Sequence, residues 1–279
     1  MTKKKICLCI GIIVCFAALI ALFAVVLLQP WKTQVTPEQT VGSTTESTTL
    51  PPPTENVFTP MDFGYEGDYL TCLTDESILG IDVSRYQGEI DWQQVKDAGV
   101  EFVMIRLGLR GYGSAGQLNE DPLAQTNYQG AKAAGLKVGG YFFSQAISEE
   151  EAVAEAQYAM EIAKDWELDM PLVYDWECLA DDYRTVGVDA RELTDYTKAF
   201  CDTVESAGYD SMIYFNPSQS HKQMYLEELV DYGFWLAMYT DQMDYPYKVD
   251  MWQYTNEGTV PGITGNVDIN LFFPYDTEA

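Results

Sequence analysis

Residues 171–177 read PLVYDWE, and the fold turns on how they are read. Leu, Val and Tyr make a run suited to a buried strand, yet it ends in two acids, Asp175 and Glu177, around one tryptophan. Side chains at i and i+2 of a strand point to the same face, so the two carboxylates stand side by side at a strand terminus. That placement requires a reason.

From residue 78 onward, the chain alternates. Strand-like runs occur at 79–84 (LGIDVS), 102–107 (FVMIRL), 136–143 (LKVGGYFF), 171–177 and 211–216 (SMIYFN). Three more follow at 234–240 (FWLAMYT), 249–254 (VDMWQY) and 266–272 (NVDINLF). Helical periodicity fills the first five gaps. Over 189–207, Leu193, Tyr196, Thr197, Phe200 and Val204 keep the i, i+3, i+4 spacing. Ser148 and Glu151 make a capping box that opens a helix over 149–164. Gly99, Gly135 and Gly208 fall where helices should stop. Residues 241–248 are too few for a crossover helix, and 255–265 are rich in Gly and Pro. Eight strands and five helices predict an α/β fold, a TIM-like barrel whose last three strands have lost their helices. Those later strands are open to antiparallel pairing, since a parallel connection needs a dozen or more residues.

The segments before the barrel differ in kind. Ile6–Leu28 carries no charge and is rich in Ile, Leu, Val, Ala and Phe. A helix needs roughly 20 such residues to cross the hydrocarbon core. Lys3, Lys4 and Lys5 precede it, and positive flanks stay cytoplasmic. A cleaved signal peptide has a shorter apolar core and a small-x-small site, and this run ends in VVLLQPWK. The expectation is a single-pass transmembrane helix within residues 1–28 with the remainder outside the cell, secretion being the alternative. Residues 29–57 are Thr/Ser/Pro-rich, an extended linker. Residues 58–77 regain aromatics and form a lead-in to a barrel over 78–276.

Composition excludes several functions. After residue 60 the chain holds 40 acidic residues against 12 basic ones, so it lacks the basic surface of a nucleic-acid binder. Cys72, Cys178 and Cys201 show no CxxC spacing and signal neither a disulfide framework nor a zinc site. His221 is the only histidine, which removes most Ser-His-Asp and His-metal chemistry. No metal or cofactor is expected, and catalysis falls to carboxylates. The chain is expected to act as a monomer.

In TIM-type barrels the active site lies at the carboxyl ends of the strands. Strand one brings Asp82, strand four Asp175 and Glu177, and strand eight Asp268. Around them stand Tyr141, Tyr214, Tyr239, Trp252 and Tyr254, with Asn216 as a polar substrate-binding candidate. Taken singly, an Asp near a strand end serves as a turn or cap, and a strand Trp or Tyr belongs to the core. Arg106 and Arg110 read as members of structural ion pairs. Together, acids with aromatic walls fit glycoside hydrolysis: one carboxyl held protonated as general acid, the others stabilising an oxocarbenium-like transition state.

At this point the residues resemble a family. GIDVSRYQGEIDWQQVKDAGVEFVMIRLG, NEDPLAQTNYQGAKAAGLKVGGYFF, PLVYDWE, MWQYT and VDIN together resemble the glycoside hydrolase family 25 lysozymes, over about residues 78–275. The resemblance implies a (β/α)5(β)3 barrel and an N-acetylmuramidase. Its substrate would be the β-1,4 bond between N-acetylmuramic acid and N-acetylglucosamine in peptidoglycan glycan strands. It implies Glu177 as general acid and Asp175 as its partner, with Asp82 in the opening G-[IV]-D motif and Asp268 in the closing V-D-x-N motif. Tyr141 matches the tyrosine of G-x-Y-H-F, where this chain has Phe142 in place of the histidine of many members. RLGLRGYG departs from the more usual R-x-T-E-G. With those roles, Glu177 is expected to hold the proton and Asp175 to stay ionised, and for Asp175 three roles stay open: direct nucleophile, base for a water, or orienting group for the substrate's N-acetyl. The competing class is a membrane-tethered, non-catalytic wall-binding module, and both acids of D-x-E count against it.

Overall fold

The computed structural model describes residues 50–178 and 184–274. The expected membrane span and residues 29–49 of the linker lie outside the described residues. Among the described residues, no helix is long and apolar enough to cross a membrane.

An antiparallel hairpin, β1 (Phe63–Glu66) and β2 (Tyr69–Cys72), precedes the barrel. The alternation follows: β3 (Ile78–Val83), α1 (Trp92–Asp97), β4 (Phe102–Arg110), a short β5 (Leu118–Glu120), α2 (Ala124–Ala133) and β6 (Lys137–Ser144). After these come α3 (Glu149–Ala163), β7 (Leu172–Trp176), α4 (Ala190–Ser206), β8 (Ser211–Phe215) and α5 (Pro217–Lys222). The chain ends with β9 (Gly233–Ala237), β10 (Met251–Gly258) and β11 (Val267–Phe272). The sheet runs β4-β6-β7-β8-β9-β10-β11-β3 and closes through a β3–β4 pairing, while β5 hangs on β4 as a hairpin. This is the expected eight-stranded α/β barrel with helices in its first five gaps.

The later strands pair differently from expectation in one place. β10 lies parallel to β9, with Met251 opposite Trp235, and only β11 runs antiparallel to both its neighbours. The cause is length. β9 stops at Ala237 and β10 starts at Met251, so residues 238–250 are enough for a parallel return. This return carries no helix. Instead it buries Tyr245 and Val249 against the barrel, where a helix would have lain.

Local signals explain the helices. Ser148 Oγ caps α3 by accepting from Glu151 N, but Glu151 Oε2 accepts from Ile147 N, so the capping box is not reciprocal. α4 buries the expected stripe of Leu193, Tyr196, Thr197, Phe200 and Val204. Gly99, Gly135 and Gly208 adopt φ of 96°, 76° and 90°, the left-handed conformation that ends a helix.

Strand periodicity then divides the molecule. On one face of β3, β4, β7, β8 and β10, Ile78, Phe102, Met104, Val173, Met212 and Met251 fill the barrel floor. The opposite faces pack on the helices or on the lead-in. Gly80 makes room for this filling: a Cβ there would lie 2.2 Å from the Phe102 ring.

The lead-in begins earlier than residue 58. Pro53 is buried, Glu55 bridges Tyr247, and Asn56 Nδ2 donates to Tyr245 O at 2.9 Å. Farther on, Phe63 packs edge-on against Trp252, with ring centroids 5.1 Å apart.

Candidate active site

Above the floor, the same inward periodicity brings acids to the mouth. Two residues past Gly80 on β3 stands Asp82, and two past Val173 on β7 stands Asp175. Glu177 follows directly after β7. β11 runs the other way, so its first residues reach the mouth and Asp268 pairs directly with Asp82. Asp82, Asp175, Glu177 and Asp268 line one cavity of about 240 Å³ with Tyr141, Tyr214 and Tyr239. The D-x-E pair therefore sits where two strands of opposite direction bring two more acids.

Two amides that the sequence reading passed over organise this cluster. Gln253 Nε2 donates to Asp82 Oδ2 at 2.7 Å, and Asn270 Nδ2 donates to the same oxygen at 2.9 Å. Gln253 Oε1 accepts in turn from Tyr214 Oη (2.8 Å) and Tyr239 Oη (3.1 Å). Asn270 Oδ1 accepts from Trp235 Nε1 at 2.8 Å. A single chain of hydrogen bonds thus fixes Asp82, both tyrosines and the indole.

Three expected substrate-binding residues do not join the acids. Trp252 is 0 % exposed, on the outward face of β10 against the lead-in, and donates to Met238 O. Tyr254 shares that face, where its hydroxyl accepts from Leu70 N. Inward on β10 is Gln253, between them. The period-two rule carries the signal: if Met251 fills the floor, Gln253 and not its neighbours reaches the mouth. Asn216 caps α5, with Oδ1 accepting from Ser218 N and Gln219 N, and does not line the cavity. Phe142 is also outward, fully buried against Tyr158, so the departure from G-x-Y-H-F does not touch the acids.

Both expected ion pairs form, but Arg106 does more. Arg110 Nε donates to buried Glu155 at 2.6 Å, and Arg106 binds Asp121 at 2.7 Å. Arg106 also lines the acid cavity, and Tyr86 stacks over its guanidinium at 5.1 Å.

Burial dominates the electrostatics. It pushes Asp82 well above the ordinary carboxyl range, with the Asp268 charge adding and the Asn270 and Gln253 donors opposing. Burial lifts Asp268 to about 6. Glu177 is raised by burial, against a hydrogen bond with Asp175 that lowers it. Asp175, only 5 % exposed, is pushed well up by burial, then by the Glu177 and Asp82 charges, with Arg106 opposing. Burial and the neighbouring charges thus work against the expectation that Asp175 rests ionised, with Arg106 working for it. Both carboxyls line the same cavity, and the deeper of the two carries the heavier burial penalty on its charged form.

A barrel that gathers four carboxyls at its carboxyl-end mouth, two buried and two half-buried, has the site architecture of a carbohydrate-cleaving enzyme. Residues 81–263 match the family described as Glycosyl hydrolases family 25, and the chain belongs to it. An autolytic lysozyme of Clostridium acetobutylicum is 28% identical over 69% of this chain and 55% of its own length. The solved modular autolysin LytC of Streptococcus pneumoniae, in complex with a synthetic peptidoglycan ligand, is 27% identical with a TM-score of 0.63. That likeness covers 71% of this chain and 47% of the other. A bacterial lysozyme of Streptomyces coelicolor is 26% identical, with a TM-score of 0.56 over 71% of this chain and 92% of its own. This chain thus spans about half the length of the first two.

Proposed function

We propose that this chain is a peptidoglycan hydrolase, an N-acetylmuramidase that cuts the β-1,4 bond between N-acetylmuramic acid and N-acetylglucosamine. The observation that carries the reading is the convergence of Asp82, Asp175, Glu177 and Asp268 in one cavity walled by Tyr141, Tyr214 and Tyr239. Glu177, the more exposed of the pair, lies outermost and delivers the proton to the leaving oxygen. As positive charge grows on the sugar ring, any proton on Asp175 passes to the Glu177 carboxylate left by that donation, and Asp175 faces the ring as a carboxylate. Asp82 and Asp268 add negative potential, and the amides of Gln253 and Asn270 hold Asp82 in place.

The charge-free run Ile6–Leu28, behind three lysines, supports a membrane tether that keeps the barrel outside the cell.

Digestion of purified peptidoglycan with the full-length protein tests the reading. Mass spectrometry should find muropeptides with muramic acid at the reducing end. Released stem peptides, or binding without solubilisation, would overturn it.

A further inference from the structure

A second groove, of about 810 Å³, lies beside the acid cavity. Its walls are the turn of the β1–β2 hairpin, with Tyr65, Asp68 and Tyr69, and the carboxyl end of β10, with Tyr254, Glu257 and Val260. Tyr239 lines both the groove and the acid cavity, so the two are neighbours. The volume lies in the range of ligand sites, roughly 300–1,000 Å³.

The hairpin precedes the family match, which begins at residue 81. It is firmly seated. Phe63 packs on Trp252 and Phe273, Leu70 is buried, and Leu70 N donates to Tyr254 Oη. Tyr69 Oη donates to Thr259 O at 3.4 Å, tying the hairpin turn to the β10–β11 turn. On this fixed base Tyr65 is 60% exposed and Tyr239 54% exposed. Neither ring is needed to fill a core at that exposure, and both border the groove. An aromatic face with a polar tip suits a sugar ring, which offers axial C–H groups to the face and hydroxyls to the tip. The charged side chains lining the groove are Asp68, Asp241 and Glu257, all acidic. Such a wall disfavours carboxylate- or phosphate-bearing ligands.

We propose that the β1–β2 hairpin builds a further glycan subsite next to the acid cavity, which holds an uncharged N-acetylhexosamine of the strand against Tyr65, with Tyr239 at its border. The identity of this ligand rests on the hydrolase reading, and the subsite deepens it. Its purpose is grip on long strands: contacts away from the cleaved bond tighten binding without altering the chemistry at the acids.

The test uses the full-length protein and its Tyr65→Ala and Tyr65→Phe variants. Chitotriose and chitohexaose, short and long uncharged β-1,4 N-acetylglucosamine oligomers, serve as binding probes in calorimetry. Peptide-free glycan strands of graded length serve as substrates. Chitohexaose should bind more tightly than chitotriose, and Tyr65→Ala should erase most of that difference, about 5-fold, while Tyr65→Phe retains it. On long strands Tyr65→Ala should raise KM by a similar factor with kcat unchanged, and on the shortest cleaved strand it should change neither. Equal chitohexaose affinity in the wild-type and Tyr65→Ala proteins overturns the subsite. A wild-type protein that cleaves no strand but loses its length-dependent binding with Tyr65→Ala upholds the subsite and overturns the hydrolase reading instead.

Discussion

Asp82 and Asp268 are direct cross-strand partners, on the antiparallel pair of β3 and β11. Like charges placed directly opposite each other in a sheet destabilise it. Here Asp82 is buried and Asp268 half-buried, and the amides of Gln253 and Asn270 offset the cost of charge only on Asp82. Reversal of the last strand makes this pairing. A parallel eighth strand would present its carboxyl end at the mouth, and Asp268, at the second residue of β11, would lie at the floor.

Gln253 should matter as much as an acid. Its amide lowers the Asp82 pKa, so removal raises that pKa further. Gln253→Ala also frees Tyr214 and Tyr239 from their common acceptor. The expected outcome is a wall-clearing rate lowered about 10- to 100-fold, as for loss of one or two oriented hydrogen bonds to a charged group. The acid limb of the pH–rate profile should move to higher pH. An unchanged rate and profile would show that Asp82 needs no support.

Stability should fall as pH rises through neutrality. Burial lifts Asp268 to about 6 and Glu155 to about 7, and raises Asp82, Asp175 and Glu177 as well. An unfolded carboxyl titrates near 4. Groups raised in the folded state bind protons more tightly there, so they favour folding below about pH 4 and lose that contribution as pH climbs through their folded values. The melting temperature should therefore drop between about pH 5 and pH 8 at fixed ionic strength. The Asp82→Asn, Asp268→Asn double variant should flatten the drop. A melting temperature that climbs across this window would contradict the buried, proton-holding cluster.

The barrel needs its strap. Residues 53–56 cross the 245–248 segment through Asn56 N to Pro246 O, Lys248 N to Thr54 O, and Asn56 Nδ2 to Tyr245 O. A chain that starts at residue 58 loses all three. At about 0.5–1.5 kcal/mol per hydrogen bond, the deletion should cost roughly 2–4 kcal/mol relative to one that starts at residue 50. Urea midpoints of the two truncations measure this, and equal midpoints would make the strap decorative.

Much of this was legible from residue 78 onward, because strand and helix periods are strong where one face must be buried. Asp82, Asp175, Glu177 and Asp268 were all readable as strand-end acids. Gln253 was not, although MWQYT contains it, because aromatic residues drew the eye and the inward register of β10 is set by Met251 in the floor. Pairing of β9 with β10 hung on where β9 stops, and the residues 238–240 look as strand-like as those before them. Proton ownership was the least legible. It depends on how deeply each carboxyl is buried, and Asp175 and Glu177 differ in depth by the one step that ends β7.

That difference in depth makes the roles of the two acids separable. If Glu177 delivers the proton, Glu177→Gln should lower cleavage of unactivated walls by about 10²- to 10⁴-fold, the usual share of a general acid. Aryl glycosides with good leaving groups need no proton, so a substantial rate on them should survive in Glu177→Gln. Asp175→Asn should damage both substrates alike, because the lost charge faced the sugar ring. Steady-state rates of the two variants on walls and on an aryl glycoside, across pH, decide the matter. Loss of both activities in Glu177→Gln, with the activated substrate spared in Asp175→Asn, would mean that Asp175 is the proton donor and Glu177 faces the ring.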